Sequence, residues 1–328
     1  EEGIYTLEKG KTYYTSNSGL MDLRIEISRY LERRFGLNYD AEKEIIVTVG
    51  GSEGIDLAFR AMLNPGDEVI IPEPCYVSYV PCVTLADGVP VTVNLKEEND
   101  FKLTKEQLLS AITPRTKILV LAFPNNPTGA VIEKAYLKEL IEHNPQVCFV
   151  IDQSYEFFTL QPLFSSVEAA HFSNVLLLHS MTKRYAVPGL RLGYITAHEG
   201  LLSRLRTHRM PWSVNQLAIE AGLYLLEYDV PNPLNISAYL QETARLRNAL
   251  EQTGGLEVWA TETHFRLVHL RFGKASALKD YLANEHGILI RDASNFEGLD
   301  ERFFRIATQT PEENDRLVQA IGQWFETY

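Results

Sequence analysis

Residues 179–197 read HSMTKRYAVPGLRLGYITA, and this stretch places its single lysine, Lys183, close to a Pro-Gly turn. The apolar run NVLLL (174–178) precedes it and LGYITA (192–197) follows, so we predict two strands joined through this turn. Most lysines lie among polar neighbours on exposed surfaces, whereas Lys183 follows directly on a buried strand. We therefore expect Lys183 to have a chemical role rather than a solvating one.

The alternation of apolar runs with helical stretches continues along most of the chain. Further strands are predicted at EIIVTV (44–49), EVIIP (68–72), VPVTVNL (89–95), KILVLAF (117–123) and VCFVID (147–152). Helical spacing separates several of them, as in SEGIDLAFRAML (52–63) and EKAYLKELIEH (133–143). This order predicts an α/β fold in which helices cover both faces of a mainly parallel sheet.

The character of the sequence changes after residue 230, where VPNPLN (230–235) predicts a linker. A long amphipathic helix (236–255) follows and ends in a glycine pair, and shorter strands and helices come after it. We predict a large domain over residues 41–230 and a smaller α+β domain over residues 231–328. Residues 1–40 are mostly helical and are assigned to the smaller domain as its N-terminal portion.

Composition restricts the possible partners. The chain has 328 residues and a formal net charge of −12, which argues against nucleic acid or an anionic membrane as the main partner. No apolar run approaches the roughly 20 residues of a membrane span, and the opening EEGIYTLEKG is not a targeting signal. The three cysteines lack metal-type spacing, so we predict no metal, and their odd number favours free thiols in a reducing cytoplasm.

Polar groups follow several predicted strands at the carboxyl end, where open α/β sheets bind their ligands. The turn GGSEG (50–54) offers free backbone N–H groups that suit a phosphate. The polar side chains of this edge are Asn126, Asp152, Tyr155, Ser180, Lys183 and Arg191. Each of them alone has an ordinary structural explanation, such as a turn or a helix cap, but their conjunction at one sheet edge favours a binding site.

Pyridoxal phosphate is the cofactor that accounts for this set of groups. It requires a lysine for a Schiff base, a carboxylate that faces its pyridinium nitrogen and a site for its phosphate. Lys183, Asp152 and the turn 50–54 with Ser180 and Arg191 offer these three features. The sequence therefore predicts a pyridoxal-phosphate enzyme.

Three motifs resemble those of the fold-type I, class I/II pyridoxal-phosphate aminotransferases. They are FPNNPTG (123–129), DQSY (152–155) and SMTKRYAVPGLRLGY (180–194), and the resemblance extends over essentially the whole chain. It implies an aspartate-aminotransferase-like fold with a large domain and a smaller α+β domain. It also implies a homodimer that acts on an amino acid and a 2-oxo acid.

The resemblance implies roles for the residues of this edge. Lys183 would form the Schiff base and move the substrate proton, and Asp152 would pair with the pyridine nitrogen. Tyr155 and Asn126 would contact the phenolic oxygen of the ring. Ser180 and Arg191 would hold the phosphate together with backbone groups of Gly51, Ser52 and Glu53. Tyr76 would stack on the ring, and Tyr14 would reach the phosphate of the other subunit.

Two arginines are candidates for substrate binding. Arg305, in FFRIAT (303–308), matches the arginine that binds the substrate α-carboxylate in the family, and Arg291 ends the strand GILIR (287–291). If these strands pair, both guanidinium groups can face the cofactor, and the additional charge of Arg291 would suit a phosphate or a side-chain carboxylate. An ion pair between Arg291 and Asp292 is the alternative explanation.

Two features depart from the family pattern. The family has an N-terminal segment that folds over the active site, and this chain begins about where that segment is expected to end. The part up to PNNPTGAV (124–131) resembles aspartate or aromatic aminotransferases, whereas the part from VCFVIDQSYEFF (147–158) onward resembles histidinol-phosphate aminotransferase and threonine-phosphate decarboxylase. A natural intermediate and a constructed chimera both remain open.

These observations leave three functions open. The main expectation is an aminotransferase that acts on an amino acid, including a phosphorylated or acidic one. A decarboxylase of an amino-acid phosphate would use the same ring chemistry but break a different bond at Cα. A non-catalytic regulator that keeps this fold belongs to another class, and the filled catalytic positions argue against it. A chimera that folds without useful turnover is a further possibility.

Overall fold

The computed structural model of the chain describes residues 2–230 and 234–327. Two sheets organise it, one with seven strands and one with four. The linker predicted at VPNPLN (230–235) includes residues 231–233, which lie outside the described residues. Side chains associated with both sheets line one cavity, so the topology of each sheet determines which residues meet there.

The larger sheet is mainly parallel, as the sequence predicts. Its strands are β1 Ile45–Thr48, β2 Glu68–Glu73, β3 Val89–Asn94, β4 Thr116–Ala122, β5 Cys148–Asp152, β6 Val175–Ser180 and β7 Gly193–Ala197. They follow the order β1-β7-β6-β5-β4-β2-β3, and within this sheet β7 runs against its two neighbours. The predicted strands before and after Lys183 are therefore confirmed as β6 and β7, which pair antiparallel.

Helices cover both faces of this sheet. The helices of this part of the chain are α1 Glu2–Glu8, α2 Met21–Phe35, α3 Gly50–Met62, α4 Tyr79–Leu85, α5 Lys105–Ala111, α6 Lys134–His143, α7 Ser166–Ala169, α8 Met181–Arg184, α9 Glu199–His208 and α10 Gln216–Glu227. Ile118 and Val120 of β4 pack into the core shared with α3 and α9, whereas Leu119 and Leu121 pack into the core shared with α6. Because both faces are buried, the central strands are continuous apolar runs rather than alternating ones.

The second sheet is antiparallel and has its own core. Its strands are β8 Leu256–Val258, β9 Phe265–Leu270, β10 Arg291–Asp292 and β11 Phe303–Ala307, in the order β10-β11-β9-β8. Its helices are α11 Ile236–Glu251, α12 Ala275–His286 and α13 Pro311–Thr327. Leu250, Val268 and Trp324 belong to one buried cluster between these helices and the sheet. This is the α+β arrangement expected for the C-terminal part of the chain.

Helix α2 packs against the larger sheet. Leu23 and Ile27 share a buried core with Val47 of β1 and Ile219 of α10. This packing differs from the assignment of residues 1–40 to the smaller domain, because the apolar face of α2 covers the edge of the seven-stranded sheet. The limits proposed for the two domains, at residues 41–230 and 231–328, stay predictions.

Candidate active site

A cavity of about 290 Å³ lies at the C-terminal ends of β4, β5 and β6. The predicted residues that line it are Gly51, Ser52, Tyr76, Asn126, Asp152, Tyr155, Ser180, Lys183, Arg191, Arg291 and Arg305. The other two predicted residues, Glu53 and Tyr14, do not line it. The parallel strands end at one edge of the sheet, so residues far apart in the sequence meet in this cavity.

Neutral donors hold the carboxylate of Asp152, which is buried at the end of β5. Its Oδ1 accepts hydrogen bonds from the backbone N–H of Ser154 at 2.9 Å and from the Ser154 hydroxyl at 2.6 Å. The Tyr79 hydroxyl donates to Oδ2 at 3.0 Å. Burial and the charge of Asp152 raise the pKa of Tyr79 well above its usual range, so this hydroxyl remains a donor. The sequence analysis identified neither Ser154 nor Tyr79.

The first turn of α3 lies at one end of the cavity, beside Arg191. Gly50 has a φ of +71°, and a Cβ there would lie 2.5 Å from Nη2 of Arg191, so glycine lets the guanidinium approach the start of the helix. A Cβ at Gly51 would lie 3.7 Å from Cβ of Ser180. N–H groups in the first turn of a helix lack intrahelical partners and favour anions. These groups together can hold a phosphate.

Glu53 lies in the same turn but directs its carboxylate elsewhere. Its Oε2 accepts a hydrogen bond from the backbone N–H of Val49 at 2.5 Å. The carboxylate thus contacts the backbone that leads into α3, which leaves only the Glu53 backbone for the role that the resemblance implies.

Lys183 lies in α8, a helix of four residues between β6 and the Pro-Gly turn. Its side chain is exposed, and it forms no salt bridge with any residue that the structure describes. The Lys183 Nζ lies 5.6 Å from the centroid of the Tyr155 ring. The amine therefore lies at the cavity, beside the Tyr155 ring.

Rings that the sequence analysis did not identify pack around Tyr155. Ring centroids lie 4.8 Å apart for Tyr155 and Phe265 and 5.8 Å apart for Tyr155 and His264. Burial, together with the charges of Arg305 and Lys183, lowers the pKa of His264 to about 4. The imidazole is neutral at pH 7 and adds no positive charge beside Lys183. No motif marks His264, because its position depends on how the two sheets meet.

Arg291 and Arg305 lie side by side on paired strands. Their Cα atoms are register partners in the antiparallel pair β10–β11, so the condition under which both guanidinium groups can face the cavity is met. Arg305 donates a hydrogen bond to Oδ1 of Asn126, across the cavity from its own strand. Arg291 donates to the backbone carbonyl of Asp292 and to Oδ1 of Asn295, each at 2.8 Å. An ion pair between Arg291 and the Asp292 carboxylate is not among the salt bridges of the described residues.

Tyr76 contributes an aromatic wall. Its hydroxyl lies 3.5 Å from Oγ of Ser52, and its ring meets the Tyr79 ring edge-on at 5.6 Å between centroids. Tyr76 therefore lies between the first turn of α3 and Tyr79, the side chain that donates to Asp152.

Tyr14 lies on the outer surface of the chain. Its side chain is 83% exposed, and its ring lies 4.6 Å from that of Trp212, measured between centroids. Met210 and Trp212 are also exposed and lie in the loop that follows α9. The predicted contact of Tyr14 with a cofactor in another subunit stays a prediction.

Residues 2–230 and 234–327 contain neither a cluster suited to a metal ion nor a membrane-spanning helix. No group of three or more His, Cys, Asp or Glu side chains in residues 2–230 and 234–327 is placed to hold a metal ion. Within the same ranges, each helix is too short or too polar to cross a membrane.

Solved structures share this fold over nearly the whole chain. Aspartate aminotransferase from Thermotoga maritima superposes with a TM-score of 0.86, at 24% identity and over 99% of this chain and 87% of that chain. This confirms the aspartate-aminotransferase-like fold. L-threonine-O-3-phosphate decarboxylase from Porphyromonas gingivalis has a TM-score of 0.87 at 28% identity, over 99% of this chain and 94% of that chain.

Curated relatives are similar in sequence. Aspartate aminotransferase from Pyrococcus horikoshii is 34% identical over 208 residues, which cover 61% of this chain and 51% of the relative, so the chain spans about half the length of such relatives. Histidinol-phosphate aminotransferase from Methanocaldococcus jannaschii is 28% identical over 88% of this chain and 76% of that protein.

The family model described as aminotransferase class I and II matches residues 6–321. Because that match extends over almost the entire sequence, the chain belongs to the class I and II aminotransferase family.

Proposed function

We propose that the chain is a pyridoxal-phosphate-dependent aminotransferase, which moves an amino group between an amino acid and a 2-oxo acid. The observation that supports this most is the meeting of Lys183, Asp152 and Arg191 at one cavity. A reactive amine, a carboxylate held by neutral donors and an anion-binding helix start are the features that this cofactor requires. Membership of the aminotransferase family supports the same activity.

The donor set of the cavity fits the cofactor. Ser180, Arg191 and the N–H groups that open α3 would hold the phosphate, and Asp152 would face the pyridine nitrogen. The wall formed by Tyr76 would supply an aromatic face. When bound, pyridoxal phosphate supplies an aldehyde that takes the amino group and a ring that accepts electrons.

The side chains of the protein would orient the substrate and move its proton. The Lys183 amine would take the proton from Cα of the amino acid, because no acidic partner among the described residues competes for it. Tyr155 and Asn126 would contact the phenolic oxygen of the ring. Arg305, which also bonds Asn126, would present its planar guanidinium to the substrate α-carboxylate and so fix the position of the substrate.

Arg291 is expected to set a preference for substrates with a second anion. Its charge is additional to the one that an α-carboxylate requires of Arg305, and both line the cavity. Replacing Arg291 with alanine should weaken binding of phosphorylated or dicarboxylic amino acids by about 1.5–3 kcal/mol, or roughly ten- to a hundredfold. Alanine and leucine, which lack a second anion, should be nearly unaffected, and KM values for both groups of substrates measure the difference.

A matched control is Arg302→Ala. Arg302 is also an arginine beside β11, but it pairs with Asp300 at 2.6 Å and does not line the cavity. The Arg302→Ala variant should leave the KM values unchanged, both for acidic and for neutral substrates. Equal losses for both groups in Arg291→Ala would show that Arg291 supports the fold or the α-carboxylate instead.

The proposed activity is tested by giving the purified, cofactor-loaded protein candidate amino acids with 2-oxoglutarate. Transamination is expected to yield glutamate and the new oxo acid in equal amounts without carbon dioxide. Carbon dioxide without an oxo acid would indicate decarboxylation, the second candidate, which the similarity to L-threonine-O-3-phosphate decarboxylase supports. Bound cofactor with neither product, over a full set of amino acids, would contradict both activities.

We also propose that the working unit is a homodimer. Tyr13, Tyr14, Met210 and Trp212 are 75%, 83%, 72% and 56% exposed, although large apolar groups are seldom left together in water. Replacing Trp212 with glutamate would bring a charge into this patch and should halve the mass measured by light scattering. Leu109→Glu, at another apolar residue that is 55% exposed, should leave the dimer intact. A Trp212→Glu protein that kept the dimer mass would place the interface elsewhere.

A further inference from the structure

A buried charge cluster lies directly behind the helix that carries Lys183. The side chains of Arg184 and Asp229 are each only 5% exposed. Nη2 and Nε of Arg184 donate to Oδ1 of Asp229 at 2.6 and 3.1 Å, and the Tyr185 hydroxyl donates to the same oxygen at 2.8 Å. Arg184, the residue next to Lys183, is therefore fixed by two hydrogen bonds to Asp229, which lies just after α10, and Tyr185 adds a third bond to the same oxygen.

The same guanidinium contacts the segment that carries Tyr155. The Arg184 Cζ lies 3.9 Å from the centroid of the Phe157 ring. Phe157 is the middle residue of the 3₁₀ turn Glu156–Phe158, which begins directly after Tyr155. Arg184 belongs to α8, the helix that carries Lys183, and it contacts the turn that follows Tyr155. It therefore links the two segments that bring Lys183 and Tyr155 to the cavity.

The other residues of this turn are held by different elements. Glu156 Oε1 lies 2.9 Å from Nδ1 of His179 on β6, and the Phe158 ring lies 4.2 Å from that of His264. Neither contact involves α8. The contact between the Arg184 guanidinium and the Phe157 ring joins the turn to α8.

We propose that Arg184 is a positioning residue that sets the separation of the Lys183 amine from Tyr155. A helix of four residues, such as α8, is too short to hold its own geometry, so its position must come from tertiary contacts. A planar guanidinium that is both hydrogen-bonded and stacked has little freedom left. This inference rests on the proposed function, because the separation matters only if Lys183 and Tyr155 act on one cofactor.

Arg34 on α2 provides a matched control. Its Nη1 lies 3.1 Å from Oδ2 of the same Asp229, and its side chain is 18% exposed. Its Cζ lies 5.4 Å from the Phe157 ring centroid. Arg34 therefore shares the carboxylate and the ring with Arg184 but is not part of α8. A role that is only structural would make the two arginines equivalent.

The experiment compares Arg184→Gln with Arg34→Gln in the cofactor-loaded protein. Both variants should unfold at a lower temperature, because each leaves part of the Asp229 charge unpaired. Only Arg184→Gln should change the visible circular dichroism of the bound cofactor and reduce kcat, by roughly ten- to a hundredfold, with KM altered much less. Equal changes in kcat and in the visible spectrum for the two variants would overturn the proposal.

Phe157→Leu provides a second test that leaves the buried charges in place. It removes the ring that Arg184 contacts but keeps the ion pair with Asp229, so it should fold even if Arg184→Gln does not. We expect the same change in visible circular dichroism and a lower kcat. Unchanged values would refute the positioning role. If the unmodified protein gave no cofactor adduct on Lys183, the proposed function itself would fail, which is a different outcome from these.

Discussion

Replacing Lys183 with alanine is expected to abolish the lysine adduct that borohydride traps and to stop transamination. The amine is both the attachment point for the cofactor and the base that moves the substrate proton, and proton transfer alone contributes about 10²–10⁴-fold to a rate. The side chain is exposed and has no salt bridge among the described residues, so the fold should be unaffected. Peptide mass spectrometry after reduction identifies the modified lysine, and the oxo-acid assay measures the rate.

Lys117→Ala is the appropriate control, because Lys117 is an exposed lysine on β4 at the opposite end of the strand from the cavity. It should keep both the adduct and the rate. An adduct on a different lysine in the unmodified protein, or a persistent adduct in Lys183→Ala, would end the assignment of Lys183 to the cofactor.

Asp152→Asn is expected to reduce turnover far more than it reduces stability. A neutral amide cannot favour a protonated pyridine nitrogen as a carboxylate does, and losing such electrostatic stabilisation typically costs about 10²–10³-fold in kcat. The asparagine can still accept from Ser154 through its oxygen and donate to the Tyr79 hydroxyl through its nitrogen. We therefore expect a loss of no more than about 1 kcal/mol in the free energy of unfolding, measured by urea denaturation.

Tyr79→Phe removes the hydrogen bond to Asp152 but leaves the carboxylate charge in place, so it tests the two effects separately. Phenylalanine keeps the buried ring but removes the donor to Asp152, which should cost about 0.5–1.5 kcal/mol of stability and change kcat by less than about tenfold. A well-folded Asp152→Asn protein with near-normal turnover would show that the ring nitrogen faces another group.

The local pattern of apolar residues was sufficient to predict the strands that carry the site residues. β4, β5 and β6 are short apolar runs bounded by polar residues, and each was predicted within one or two residues of its observed ends. The residues that follow such strands meet at one sheet edge whatever their side chains are, so Asn126, Asp152 and Lys183 could be placed together from the sequence.

The sequence pattern did not show which part of the protein a buried helix packs against. The apolar stripe of α2 shows that the helix is buried on one side but not on what, and the structure places Leu23 against the larger sheet. Likewise, the run GILIR (287–291) predicts a strand of five residues, whereas only Arg291–Asp292 pair with β11.

The sequence by itself determined the family and brought Asn126, Asp152 and Lys183 to one edge of a mainly parallel sheet, because these depend on short-range periodicity and on motifs of adjacent residues. Only the tertiary structure decided how Asp152 is held by Tyr79, why His264 stays neutral and how Arg184 meets Asp229 and Phe157. These contacts join residues that are distant along the chain, and the relative placement of the elements that carry them is determined by the packing of the two sheets and their helices.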